Sequence, residues 1–81
     1  MKKFDIKIYS TPTCHYCVMA KDYFKKHKIE FEDIDVSRDH VKAQEMIDMT
    51  GQMGVPVIQI NDNIIVGFQP DVIKNILEGK E

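Results

Sequence analysis

The stretch Ser10-Thr11-Pro12-Thr13-Cys14-His15-Tyr16-Cys17 decides how the rest of this chain is read. It follows the alternating run Phe4 to Tyr9 and opens a segment with helical periodicity, so both cysteines of the protein fall where a strand hands over to a helix. Cysteines three residues apart on the first turn of a helix can close a small disulfide ring with little rearrangement. The first of them also lies among the free N–H groups and the positive dipole end of that helix, which stabilise a thiolate. Disulfide exchange needs one thiolate to attack and a second thiol to resolve the mixed disulfide. The spacing therefore points to Cys14 as the attacking sulfur and Cys17 as the resolving thiol of a dithiol–disulfide exchanger.

Working outward, Phe4, Ile6 and Ile8 alternate with Asp5, Lys7 and Tyr9, which predicts a strand with at least one buried face. Thr11-Pro12 stops it, because proline has no N–H to give a ladder. From Cys14 to about Lys28, Cys17, Ala20 and Phe24 recur at helical spacing, with Val18 and Tyr23 on a flank and Lys21, Asp22, Lys25 and Lys26 largely opposite. On that helix Cys17 shares the buried stripe while Cys14 stays open to a partner. Ile29 to Val36 alternates again and predicts a second strand. Ser37 is placed to N-cap a helix that leads through Arg38-Asp39-His40 into Val41, Ala43, Met46, Ile47 and Thr50, and Gly51 to end it as a left-handed C-cap. Val55 to Ile60 and Ile64 to Val66 read as a hairpin around the polar turn Asn61-Asp62-Asn63. Pro70 sits in the first turn of a last helix whose core face is Val72, Ile73, Ile76 and Leu77. The order β-α-β-α-β-β-α predicts an α/β fold: a four-stranded mixed sheet flanked by three helices, in which helix-linked strands run parallel and the last hairpin antiparallel. One domain is expected to span residues 1–81.

The 81 residues are 43% hydrophobic and 30% charged, a marginal core with no room for a large cofactor pocket. Eleven basic against 13 acidic residues, a formal charge of −2, give no nucleic-acid footprint, so protein and small-thiol partners are expected instead. No apolar run approaches the roughly 20 residues of a membrane span. Met1-Lys2-Lys3 is basic, yet the alternation that follows never becomes a signal-peptide core. The chain is accordingly expected to be cytoplasmic, monomeric and independent of any membrane. A single close cysteine pair fits redox chemistry in a reducing compartment better than a structural framework. Zinc would need four ligands, and His15, His27 and His40 show no second paired spacing, so no metal is expected. A metal or iron–sulfur cluster shared by two monomers through Cys14 is the minor alternative.

Tyr9-Ser10-Thr11-Pro12-Thr13-Cys14-His15-Tyr16-Cys17, then Gly54-Val55-Pro56-Val57 and Val66-Gly67-Phe68-Gln69-Pro70-Asp71, resemble in order the motifs of the glutaredoxins, more narrowly of the glutaredoxin-like NrdH-redoxins. The resemblance covers nearly the whole chain. It implies a thioredoxin fold, Cys14 as nucleophile, Cys17 as resolving thiol, and Val55-Pro56 as a cis-proline turn whose backbone holds the substrate as an added short strand. It places Tyr16 beside the reactive sulfur and implies no bound cofactor, with glutathione or thioredoxin reductase as electron source. The implied partners are disulfide-containing proteins, ribonucleotide reductase among them. Three departures from the common glutaredoxin pattern matter. Thr11 stands where many members have a basic residue, His15 where many have proline, and Gly67-Phe68 where many have a glycine pair. Phe68 would narrow the place of a glutathione carboxylate and Thr11 removes a cation for it, which favours thioredoxin reductase.

Other residues carry two readings each. An imidazolium at His15 would favour the neighbouring thiolate, or His15 is an exposed first-turn side chain of little effect. Lys21 reads more simply as part of a solvated helix face, and the methionines as filling for a small core. Phe68, between Gly67 and Pro70, reads as a hydrophobic lip over the site rather than as core. Outside the enzyme class, the rival is a binding module that uses the Val55-Pro56 edge while the cysteines are incidental.

Overall fold

The computed structural model describes residues 4–79; the basic Met1-Lys2-Lys3 lies outside them. Seven elements follow the expected order: β1 (Ile6–Ser10), α1 (His15–Lys26), β2 (Glu32–Asp35), α2 (His40–Thr50), β3 (Val57–Ile60), β4 (Asn63–Val66) and α3 (Pro70–Leu77). The four strands form one sheet in the order β2-β1-β3-β4. β1 is parallel to β2 and antiparallel to β3, and β3 is antiparallel to β4. This is the mixed sheet with three helices read from the sequence.

One direction differs from expectation: β2 and β3, though joined by a helix, do not run parallel. Tyr9 is in register with Ile34 on one side and with Val57 on the other, so β3 begins at the end of the sheet where β2 stopped. α2 is about 16 Å long and residues 51–56 can span up to ~20 Å when extended, enough to return the chain to the end of the sheet where β2 stopped. Helix and loop together displace the chain sideways without taking it to the far end of the sheet.

Alternation along the strands builds two cores. Ile6, Ile8, Ile58, Ile60 and Ile65 meet Ala20 and Phe24 of α1 and Ile73 of α3 on one face. Tyr9, Ile34 and Val57 meet Met46 of α2 on the other. β1 is thus buried on both faces, beyond the single face its alternation required.

Local chemistry sets the helix ends. α1 stops at a Schellman motif, with Ile29 N–H on the Phe24 carbonyl at 2.9 Å and Lys28 N–H on the Lys25 carbonyl at 3.1 Å. Lys28 takes the left-handed position, φ 58°, that glycine usually fills. α2 is N-capped by Asp39, which accepts the Lys42 N–H at 3.0 Å, and not by Ser37. Ser37 instead gives its hydroxyl and N–H to Asp35. The hydroxyl bond first, then the N–H, hold the Asp35 carboxyl below the usual carboxylate range. Val41 falls about 140° around α2 from the buried Met46 and is 69% exposed. Val72 is likewise exposed on α3. Gly51 closes α2 in the left-handed region, φ 75°, as expected. Among the described residues no helix is long and apolar enough to cross a membrane.

Candidate active site

β1 delivers the chain to Thr11-Pro12-Thr13, and Cys14 becomes the N-cap of α1 with extended backbone, φ −89° and ψ 113°. Its sulfur takes the part an Asp or Ser oxygen plays in other caps: Cys14 Sγ accepts the Cys17 backbone N–H at 3.1 Å. A sulfur that receives an otherwise unused helix N–H sits where negative charge is favoured. The Cys14 N–H donates to the Thr11 carbonyl at 3.3 Å, which holds the approach to the helix.

Cys17 has a different environment. Together with Ala20 and Phe24 it forms the stripe of α1 that is entirely closed to solvent, whereas Cys14 is half-buried. Burial pushes the Cys17 thiol up to about 12, and its hydrogen bond with Cys14 adds to this. The Thr11 N–H and the Lys21 ammonium pull the other way. Both cysteines are free thiols. The pair is therefore one reachable sulfur at a helix end with a protonated, covered thiol behind it.

The third component comes from the loop before β3. The Val55–Pro56 bond is cis. The Cys14 thiol points to the Val55 carbonyl, with sulfur and oxygen 3.8 Å apart. Pro56 is buried and its own carbonyl accepts the Gly67 N–H at 2.8 Å, so the cis-proline loop is tied to the segment leading into α3. Gly67 makes that tie in the left-handed region, φ 87°, where a side chain would be strained.

Of the residues singled out from sequence, Thr11, Cys14, Cys17, Val55, Pro56 and Gly67 are linked by these contacts. Thr11 serves through its backbone. Tyr16 is 61% exposed beside the pair, its ring edge-on to the exposed His15 at 5.9 Å. Phe68 differs from the expected lip: it is half-buried, packs against the core under α1 and α3, and meets Tyr23 edge-on at 6.0 Å. Met53, in the loop before Val55, is 75% exposed, so this methionine does not fill the core as expected.

A polar group beside Cys17 emerges only in the fold. Lys21, expected on a solvated helix face, is half-buried, with its ammonium 3.0 Å from Asp33 Oδ2. Asp33 Oδ1 accepts the hydroxyl of the buried Ser10 at 2.9 Å. The available signal was the four-residue spacing from Cys17 to Lys21, which puts both on one face of the helix. A cavity of about 490 Å³ lies at the other end of α1, lined by Tyr23, His27, Ile29, Pro70 and Lys74 among others, and no cysteine borders it. Among the described residues no three His, Cys, Asp or Glu side chains gather as a metal site.

The glutaredoxin family model matches residues 6–65. The chain is 48% identical over 73 residues to a glutaredoxin-like 8.6 kDa protein in the rubredoxin operon of Clostridium pasteurianum, a match covering 90% of this chain and 97% of that one. It is 32% identical to glutaredoxin 3 of Escherichia coli K12, covering 78% of this chain and 76% of the other. Among solved structures it is similar to NrdH-redoxin of Escherichia coli, a glutaredoxin-like protein with a thioredoxin-like activity profile. That similarity has a TM-score of 0.76 and 30% identity, over 89% of this chain and 93% of that chain.

Proposed function

This chain belongs to the glutaredoxin family of thioredoxin-fold redox proteins, and on that premise we propose that it reduces protein or small-molecule disulfides by a dithiol mechanism. Cys14 is the nucleophile and Cys17 the resolving thiol. One observation carries the assignment: the Cys14 sulfur caps α1 by accepting the Cys17 N–H while Cys17 itself is closed to solvent.

In this reading the Cys14 thiolate attacks one sulfur of a substrate disulfide. The substrate S–S bond breaks, one thiolate leaves and takes a proton, and a Cys14 mixed disulfide remains. Cys17 then loses its proton and attacks Cys14 Sγ, forming the Cys14–Cys17 bridge and releasing the second substrate thiol. Two electrons pass from the protein thiols to the substrate, and an upstream reductant reopens the bridge. The Val55 backbone and Pro56 hold the incoming disulfide extended above Cys14, with Thr11, His15, Tyr16 and Gly67 bordering it. The reaction runs in the cytoplasm and needs no bound cofactor.

Insulin reduction tests the reading. Cys14→Ser is expected to abolish turnover, and Cys17→Ser to accumulate mixed disulfides seen as mass adducts. Full dithiol turnover by the Cys17→Ser variant would refute the assigned order, and an inactive parent chain would leave the binding-module reading in its place.

A second, narrower reading is an NrdH-type carrier recharged by thioredoxin reductase that supplies ribonucleotide reductase. The similarity to NrdH-redoxin and the absence of a cation at Thr11 support it. It predicts faster turnover with NADPH and thioredoxin reductase than with glutathione and its reductase, and the opposite ranking would remove it.

A further inference from the structure

The resolving step asks a buried thiol to become an anion, and the side chain one helical turn further on is held in a way that bears on this. Lys21 follows Cys17 by four residues, which stacks the two on one face of α1. Lysines on a solvated helix face are free to point away. This one is only 20% exposed, and its ammonium is anchored 3.0 Å from Asp33 on β2. Asp33 is itself anchored, accepting the hydroxyl of Ser10 at 2.9 Å, and Ser10 is 1% exposed at the end of β1. Thr11, next in the chain, accepts the Cys14 N–H at 3.3 Å, which fixes the approach to α1 on the side of Cys17. The end of β1 thus holds Asp33 through Ser10, and Asp33 in turn holds the Lys21 ammonium on the face of α1 that carries Cys17.

We propose that Lys21, tethered through Asp33 to Ser10, is a positioning residue for the resolving step: its ammonium stabilises the Cys17 thiolate as it attacks the Cys14 mixed disulfide. The inference rests on the dithiol reading above. In the step concerned, the Cys17 S–H bond breaks, the Cys17–Cys14 S–S bond forms, and the bond from Cys14 to the substrate sulfur breaks. The proton lost by Cys17 balances the one gained by the departing thiolate. Lys21 neither gains nor loses a proton, and it does not touch the substrate.

Reaction of the reduced protein with an aromatic disulfide, 5,5′-dithiobis(2-nitrobenzoate), separates the two steps. Attack by Cys14 releases one coloured thiolate, and closure by Cys17 releases the second. Lys21→Met is expected to slow the second release roughly threefold to tenfold, the range for one partly screened charge, and to leave the first within about twofold. Lys21→Arg should restore the second phase, because it returns the charge to the same face. Lys21→Gln serves as a second neutral variant, with thermal unfolding of each to verify folding. A second phase unchanged in both neutral variants would overturn the inference, as would an equal slowing of both phases, since the ion pair would then act only as a clamp between α1 and β2. Failure of the parent reading looks different: the parent chain would show no first release, or no second one.

Discussion

At the scale of single residues, the two cysteines differ by position more than by chemistry. Cys14 caps a helix and faces solvent in part; Cys17, one turn later, is sealed beneath it. Iodoacetamide at neutral pH should label Cys14 in the folded, reduced protein and reach Cys17 only after unfolding in urea, as read by peptide mass mapping. The same burial links Cys17 to stability. Folding raises its thiol from an ordinary 9.0 to about 12, chiefly by burial. Between those values the unfolded chain gives up this proton and the folded chain keeps it, so alkali favours unfolding. The contribution is intact below about pH 9 and is lost as pH rises toward 12, with a slope of at most about 1.4 kcal/mol per unit. Urea titrations of the reduced protein across this range should show the fall, and Cys17→Ala should flatten it.

At the scale of elements, the helix ends separate what composition suggests from what geometry requires. Ser37 and Asp39 are both good capping types, but only Asp39 lies immediately before the first helical residue and receives a helix N–H. Asp39→Ala should cost about 1 kcal/mol in urea unfolding and Ser37→Ala only a few tenths. At the other end of α1 no glycine or asparagine marks the stop, so the sequence suggested only that the helix runs to about Lys28. The Schellman hydrogen bonds place Lys28 at φ 58° because Ile29 must turn back onto the core beside Phe24. Lys28→Gly should therefore stabilise the protein, by about 0.5–1 kcal/mol in the same assay, since glycine takes this conformation without a Cβ penalty.

At the scale of the molecule, a chain of 81 residues has about 4–12 kcal/mol of stability to lose. Phe24 is closed to solvent and joins α1 to the sheet, so Phe24→Ala, at roughly 3–5 kcal/mol, should remove a quarter or more of that stability and lower the urea midpoint accordingly. The sequence by itself determined the order of elements, the buried stripe of α1, the left-handed Gly51, the hairpin and the strand-to-helix junction that carries Cys14 and Cys17. Each of these depends on neighbours within a turn or two, and periodicity records such neighbours faithfully. Only the tertiary structure decided that β3 runs against β1, that the Val55 carbonyl meets a sulfur 41 residues earlier in the chain, that Phe68 turns to Tyr23, and that Asp33 anchors Lys21 behind Cys17. Those outcomes depend on loop reach and on the register of distant strands, and no local pattern of side chains encodes where a loop brings the chain back.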